Sequence, residues 1–268
     1  MSPLPLWIRE IEHQSRGLPV LLVEGLQDVT IFEHFFNQRS PGWDLRLYIA
    51  PAGGKRHVHT GVCTHRPDWI GIMDLDEWSD EDVQEAAQGS DRLKALPRFC
   101  IESYFCHPNE LWPAIPPSQR DQLGGGLDEL ARPIYDALPD WVMHGALWRV
   151  LRRLYRETNL PVELERGPVT NEDKISQILT DWYQNLAPDR VLAQYHQELN
   201  VAQSLSREEQ IRKYVHGKKF FNQVVVQTLN ELLHGGGADD WLDRFRDEKI
   251  QPPPDLQPLL DWVLSLVS

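Results

Sequence analysis

Two short apolar runs in this chain each stop on acid. Pro19-Val20-Leu21-Leu22-Val23 ends at Glu24-Gly25, and Trp69-Ile70-Gly71-Ile72-Met73 ends at Asp74-Leu75-Asp76. Short apolar runs of this kind read as strands. Between them Gln27 to Gln38 carries a helical stripe of Val29, Phe32, Phe35 and Phe36. Leu45 to Ala50 reads as another strand, closed by Pro51 and Gly53-Gly54, and a weaker helix is predicted over 56–66. Ser79 is a predicted N-cap, with Asp80, Glu81 and Asp82 complementing the first turn. Arg98 to Glu102 is predicted as a fourth strand. Such alternation specifies an α/β fold with a parallel sheet and right-handed crossovers.

After residue 107 the strand signals fade. A Pro-rich connector covers 109–117, and the remainder reads as helices near 127–137, 140–158, 171–186, 188–203, 207–216, 218–234 and 256–267. Gly235-Gly236-Gly237 terminates one of them as a C-terminal cap does. The expected organisation is an α/β domain over 1–115 followed by a helical domain over 116–268.

Ligands of open parallel sheets bind outside the carboxyl ends of the strands. Glu24, Asp74 and Asp76 are therefore expected to meet. Clustered carboxylates repel unless a cation neutralises them, and a hard oxygen set suits Mg²⁺ or Mn²⁺. Asp28, four residues after Glu24, either supports that site or stabilises the helix dipole.

Composition narrows the class. With 268 residues, 41% hydrophobic and 25% charged, the chain reads as an ordinary soluble protein. No apolar run approaches membrane-spanning length, and Met1 to Trp7 lacks the n-region of a secretory signal. Cys63, Cys100 and Cys106 make neither a zinc pattern nor a disulfide framework, which suits a cytoplasmic location. A net charge of −13 argues against a general nucleic-acid coat but not against a nuclease with one local basic surface. Arg149, Arg152, Arg153 and Arg156 fall on one face of a predicted helix. Three readings of that stripe stay open: tracking a phosphate backbone, contacting an acidic partner, or simple solvation. His57, His59 and His65 lack zinc spacing.

Several motifs together resemble Toprim domains. Leu22-Val23-Glu24-Gly25-Leu26-Gln27-Asp28 resembles their Glu-Gly turn with a following Asp, and Ile72-Met73-Asp74-Leu75-Asp76 their Asp-x-Asp strand end. Ala52-Gly53-Gly54-Lys55 is similar to the glycine turn of the same fold. Arg98-Phe99-Cys100-Ile101-Glu102-Ser103-Tyr104-Phe105 partly resembles the Glu-x-Glu-Asn-Tyr segment of the group related to the OLD (overcoming lysogenisation defect) nucleases. Ser103 replaces its Asn and Cys100 its first Glu. His216-Gly217-Lys218 resembles the Gly-Lys of that group.

The resemblance implies a Rossmann-like Toprim fold and a Mg²⁺- or Mn²⁺-dependent nuclease acting on DNA or RNA, tRNA included. Asp74 and Asp76 would hold metal, Glu24 would ligate it or move a proton, and Glu102 would complete a second position. Lys218 would contact the reacting phosphate, against the alternative of a solvated basic turn. Gly25, Gly53, Gly54 and Asp28 would support the site. The group also implies an anti-phage role, as in the Toprim effectors of PARIS-type systems, under restraint by an ABC-type ATPase partner or by a homodimer. Two rivals stand beside it. One is a HAD-type phosphatase with Asp74 as nucleophile, although Glu77-Trp78 follows Asp76 where that family has Gly-Thr. The other is a Toprim-like fold that only binds.

Overall fold

The computed structural model describes residues 4–76, 78–157, 172–233, 235–247 and 250–267. A four-stranded, all-parallel sheet organises the first part of the chain. Its strands are β1 (Val20–Val23), β2 (Tyr48–Pro51), β3 (Ile70–Met73) and β4 (Leu93–Ala95), in the order β2-β1-β3-β4. Leu21 pairs with Ile70 and Leu22 with Gly71, so the two acid-terminated runs are the adjacent central strands. All four residues of each are buried, which explains their unbroken apolar character. The chain leaves β1 towards β2 on one side and then crosses to β3 on the other. The order thus reverses between β1 and β3, where open α/β sheets form their ligand crevice.

Helix α1 (Leu6–Ser15) has no counterpart in the sequence-based reading. It buries Ile8 and Ile11 in the cluster around Val20, Leu22 and Val58, and stops at Arg16 and Gly17, both left-handed. Helix α2 (Leu26–Arg39) follows β1, α3 (Lys55–Thr60) follows β2, and α4 (Asp80–Ala87) follows β3. Ser79 caps α4 as expected: its hydroxyl accepts the Asp82 N–H at 3.2 Å, and the Asp82 carboxylate accepts the Ser79 N–H at 2.8 Å.

Three expectations need correction. The fourth strand is Leu93–Ala95, while Ile101–Phe105 forms a 3₁₀ turn with all five side chains buried. A strand would have turned alternate residues away; the turn instead slots Phe105 between Phe35 and Phe245, stacked at centroid distances of 6.4 and 6.0 Å. The helices predicted at 127–137 and 140–158 are one helix, Leu127–Glu157, running through Pro139. A proline there costs about 3 kcal/mol. The buried ladder Leu130, Ile134, Leu138, Val142, Ala146, Val150 and Leu154, spaced by four, supplies the packing that keeps the helix continuous.

The third correction concerns the division at 115/116. One compact unit comprises 1–137 together with 216–268, and a second comprises 138–215. The late residues belong to the sheet unit because its core is built with them. Phe105 meets Phe221 at 6.2 Å as well as Phe245, and His34 Nε2 lies 2.9 Å from the Ile250 carbonyl oxygen. Arg98 is bound to Asp255 through two contacts of 2.8 Å. Among the described residues, no helix is long and apolar enough to cross a membrane.

Candidate active site at the carboxyl ends of the central strands

Glu24 leaves β1 one residue after its last paired position, and Asp74 leaves β3 in the same way. Because the strands are neighbours, Glu24 Oε1 accepts the Asp74 N–H at 2.9 Å. The Glu24 carbonyl also accepts the N–H groups of Gly53 (3.0 Å) and Gly54 (2.9 Å). Those glycines have φ of 85° and 125°, a backbone that side-chain-bearing residues avoid. The glycine turn after β2 is thereby folded onto the end of β1, and it delivers Lys55 to the site. Lys55 Nζ is 2.6 Å from Asp76 Oδ2 and 4.2 Å from the centre of the Trp78 ring.

Asp76 itself has φ of 51°, a left-handed conformation that Asp tolerates better than most residues. Its N–H donates to the Phe99 carbonyl at 2.7 Å, so the loop after β3 is pinned to the segment entering the 3₁₀ turn. Asp28, on the first turn of α2, accepts the Gly25 N–H at 2.8 Å. Its helix-capping role is therefore real, and it also faces the site. Glu102 is buried in the 3₁₀ turn, with Lys218 Nζ 3.8 Å from its Oε1.

The electrostatics show that these groups share one environment. Burial pushes Glu24 up to about 7, relieved by Lys55 and by the Asp74 N–H, and raised further by Asp76 and Asp28. Burial likewise pushes Asp28 up to about 6; the Gly25 N–H lowers it, Glu102 raises it and Lys218 lowers it. Asp74 lies well above the usual carboxylate range, from burial first and then from Asp28, Glu24, Asp76 and Glu102. Burial and repulsion both disfavour the charged forms. His216, stacked on Phe99 at 5.1 Å, is held below its ordinary value by burial and by Lys219.

The fold thus gathers Glu24, Asp28, Asp74, Asp76 and Glu102 with Lys218, from positions up to 194 residues apart. It does not draw them to a common point: among the described residues, no three His, Cys, Asp or Glu side chains form a metal-ligating group. Lys55 already sits against Asp76, and Glu24 is turned to a backbone N–H. Sequence reading missed Lys55 as a site residue, treating it only as the end of a glycine turn. The available signal was a lysine opening a helix straight after Gly-Gly. His216 was also absent from the expected site.

The position of Lys218 depends on close packing. A Cβ on Gly217 would lie 2.8 Å from the backbone nitrogen of Ser103 and 2.7 Å from Cys100 Sγ, and closer still to Ser103 Oγ. Gly217→Ala is expected to cost about 1–3 kcal/mol, the range for overpacking. A shift of the urea midpoint checks this, and an unchanged midpoint would mean that the 3₁₀ turn yields easily.

The arginine stripe lies in the second unit and is largely engaged there. Arg149 donates to the Lys213 carbonyl at 2.7 Å and stacks over Tyr214 at 4.5 Å, and Arg153 pairs with Glu198 at 3.1 Å. Arg152 is exposed, and the Arg156 side chain lies outside the described residues. Comparison with protein-family models, with curated proteins and with solved structures finds no match for this chain.

Proposed function

We propose that the protein is a divalent-metal-dependent hydrolase of phosphodiester bonds, a nuclease of the Toprim type, with its active centre at the carboxyl ends of β1 and β3. The observation that carries this reading is the convergence of Glu24 and Asp74 across the seam between those strands. Three other carboxylates share their electrostatic environment. So much half-buried negative charge fits a cation, and an all-oxygen donor set fits Mg²⁺ or Mn²⁺.

Asp74 and Asp76 would hold the ion, with Glu24 and Glu102 as the next nearest donors. The ion supplies Lewis acidity towards a phosphoryl oxygen. Glu24, pushed up to about 7, is poised to take up or release a proton near neutral pH. Lys218, at the rim beside Glu102, and Lys55, beside Asp76, offer cations to a phosphate group. A cytoplasmic defence role under a partner ATPase belongs to the same proposal and rests on the motif resemblance.

The test is a cleavage assay with plasmid DNA, single-stranded DNA and tRNA in Mn²⁺, alongside calorimetric Mn²⁺ titration. Wild type should cleave at least one substrate, and Asp74→Ala should lose ~100-fold or more in rate, the scale of one catalytic group. Hydrolysis of a small phosphate monoester with nucleic acid left intact would favour a phosphatase instead. Mn²⁺ binding without turnover would leave a binding module.

A further inference from the structure

Most of the carboxylates gathered at the strand ends are already engaged. Glu24 accepts the Asp74 N–H at 2.9 Å, and Asp28 accepts the Gly25 N–H at 2.8 Å. Asp76 lies against Lys55, and Glu102 lies beside Lys218. Among the described residues, only the Asp74 carboxylate has neither a hydrogen bond nor an ion pair. Two-ion phosphodiesterase centres hold their ions about 3.5–4 Å apart and need oxygen donors for both. The donors left over here are those for one ion: the Asp74 carboxylate and the Asp76 oxygen that Lys55 does not hold.

The two lysines differ in kind. The Lys218 side chain is 59% exposed and 3.8 Å from Glu102, an adjustable group at the rim. The Lys55 side chain is 16% exposed, and its ammonium is shielded from water. It is fixed from three directions. Its backbone follows the glycine turn bonded to the Glu24 carbonyl, Asp76 Oδ2 lies 2.6 Å from its Nζ, and the Trp78 ring faces it at 4.2 Å. Asp76 is fixed in turn by its left-handed backbone and its N–H bond to Phe99. Exposed, flexible lysines form weak and transient pairs; one held in this way is a permanent charge. Burial is the main influence on Glu24, and Lys55 is the strongest group opposing it, so the same ammonium acts on the ends of both central strands.

We propose that Lys55 takes the place of a second divalent ion, so that the centre works with one ion, held by Asp74 and Asp76, and one fixed ammonium. The inference deepens the metal-dependent reading and rests on it. Asp76 is then shared between two cations, and Lys55 supplies the positive charge that two-ion enzymes draw from their second metal.

Counting bound Mn²⁺ tests it, by electron paramagnetic resonance on the full chain as free Mn²⁺ rises into the millimolar range. The count is the excess over a chain carrying Asp74→Asn and Asp76→Asn, which subtracts ions held elsewhere on this acidic surface. Wild type should hold one ion. Lys55→Met, shown to be folded by circular dichroism, should hold two, because Asp76 is released to a second ion. Lys55→Arg keeps the charge and should hold one. If Lys55→Met does not fold, Lys55→Gln is counted in its place. A wild type that holds two ions overturns the proposal whatever the variants do. A folded Lys55→Met chain that still holds one overturns it too, and leaves the metal-dependent reading standing. A wild type with no excess Mn²⁺ overturns both.

Discussion

Glu24→Gln should melt higher than wild type in chelator at pH 8, although it removes a carboxylate at the centre of the proposed active site. A carboxyl whose folded pKa is raised from 4.5 to about 7 binds protons more readily folded than unfolded. Its contribution to stability is full below about 4.5 and is lost as pH rises through about 7. At pH 8 the native state therefore carries the whole penalty. The shift corresponds to ~3 kcal/mol at most, and solvent screening at this partly exposed group reduces it to about 1–2 kcal/mol. Glutamine keeps an oxygen for the Asp74 N–H and removes the charge. The expected gain is about 2–8 °C in melting temperature, vanishing near pH 4.5. Calorimetry at the two pH values checks it, and a variant no more stable than wild type at pH 8 would contradict the electrostatic account. Mn²⁺ at 100 times its Kd should add about 2.7 kcal/mol to wild type and less to the variant.

Arg98→Ala should be among the most damaging single changes in the chain. The guanidinium is 2% exposed and lies 4.3 Å over the Tyr104 ring. It makes two bonds of 2.6 Å to Glu110 and two of 2.8 Å to Asp255. Burial pulls its pKa down, and those bonds more than reverse the effect. Its removal strands two carboxylates in a poorly solvated place, which costs about 3–5 kcal/mol. Urea unfolding should show the loss. Arg98→Met combined with Glu110→Gln and Asp255→Asn should recover much of it, since no charge is then left unmatched. If the triple variant is as unstable as Arg98→Ala, the guanidinium acts through packing on Tyr104 instead.

The central strands and their acidic ends were legible because burial on both faces imposes an uninterrupted apolar run that stops where the sheet stops. Glu24, Asp74 and Asp76 could be placed at one sheet edge for that reason. Arg98 to Glu102 was misread as a strand because the buried 3₁₀ turn at Ile101–Phe105 and a buried strand demand the same apolar composition; only the partners of Phe105 distinguish them. The helices expected at 127–137 and 140–158 are joined because a continuous ladder of buried side chains carries one helix through Pro139. The proximity of Lys218 to Glu102 was expected only through a motif resemblance. The bonds between Arg98 and Asp255 had no local signature at all, since they join positions 157 residues apart.

The sheet unit is assembled from both ends of a long excursion, with 138–215 lying between its two parts. A growing chain therefore makes the strands, Glu24, Asp74 and Asp76 well before it makes Phe221, Phe245 and Asp255. Synthesis adds about 5–20 residues per second, so the interval from residue 137 to residue 255 is roughly 6–24 s. During that time the Phe105 stack lacks two of its rings and Arg98 lacks one of its carboxylates. Nascent and prematurely terminated chains would thus carry the acidic residues without the core that positions Glu102 and Lys218. On the proposed nuclease reading, chain order alone would delay competence until the last helices have been translated.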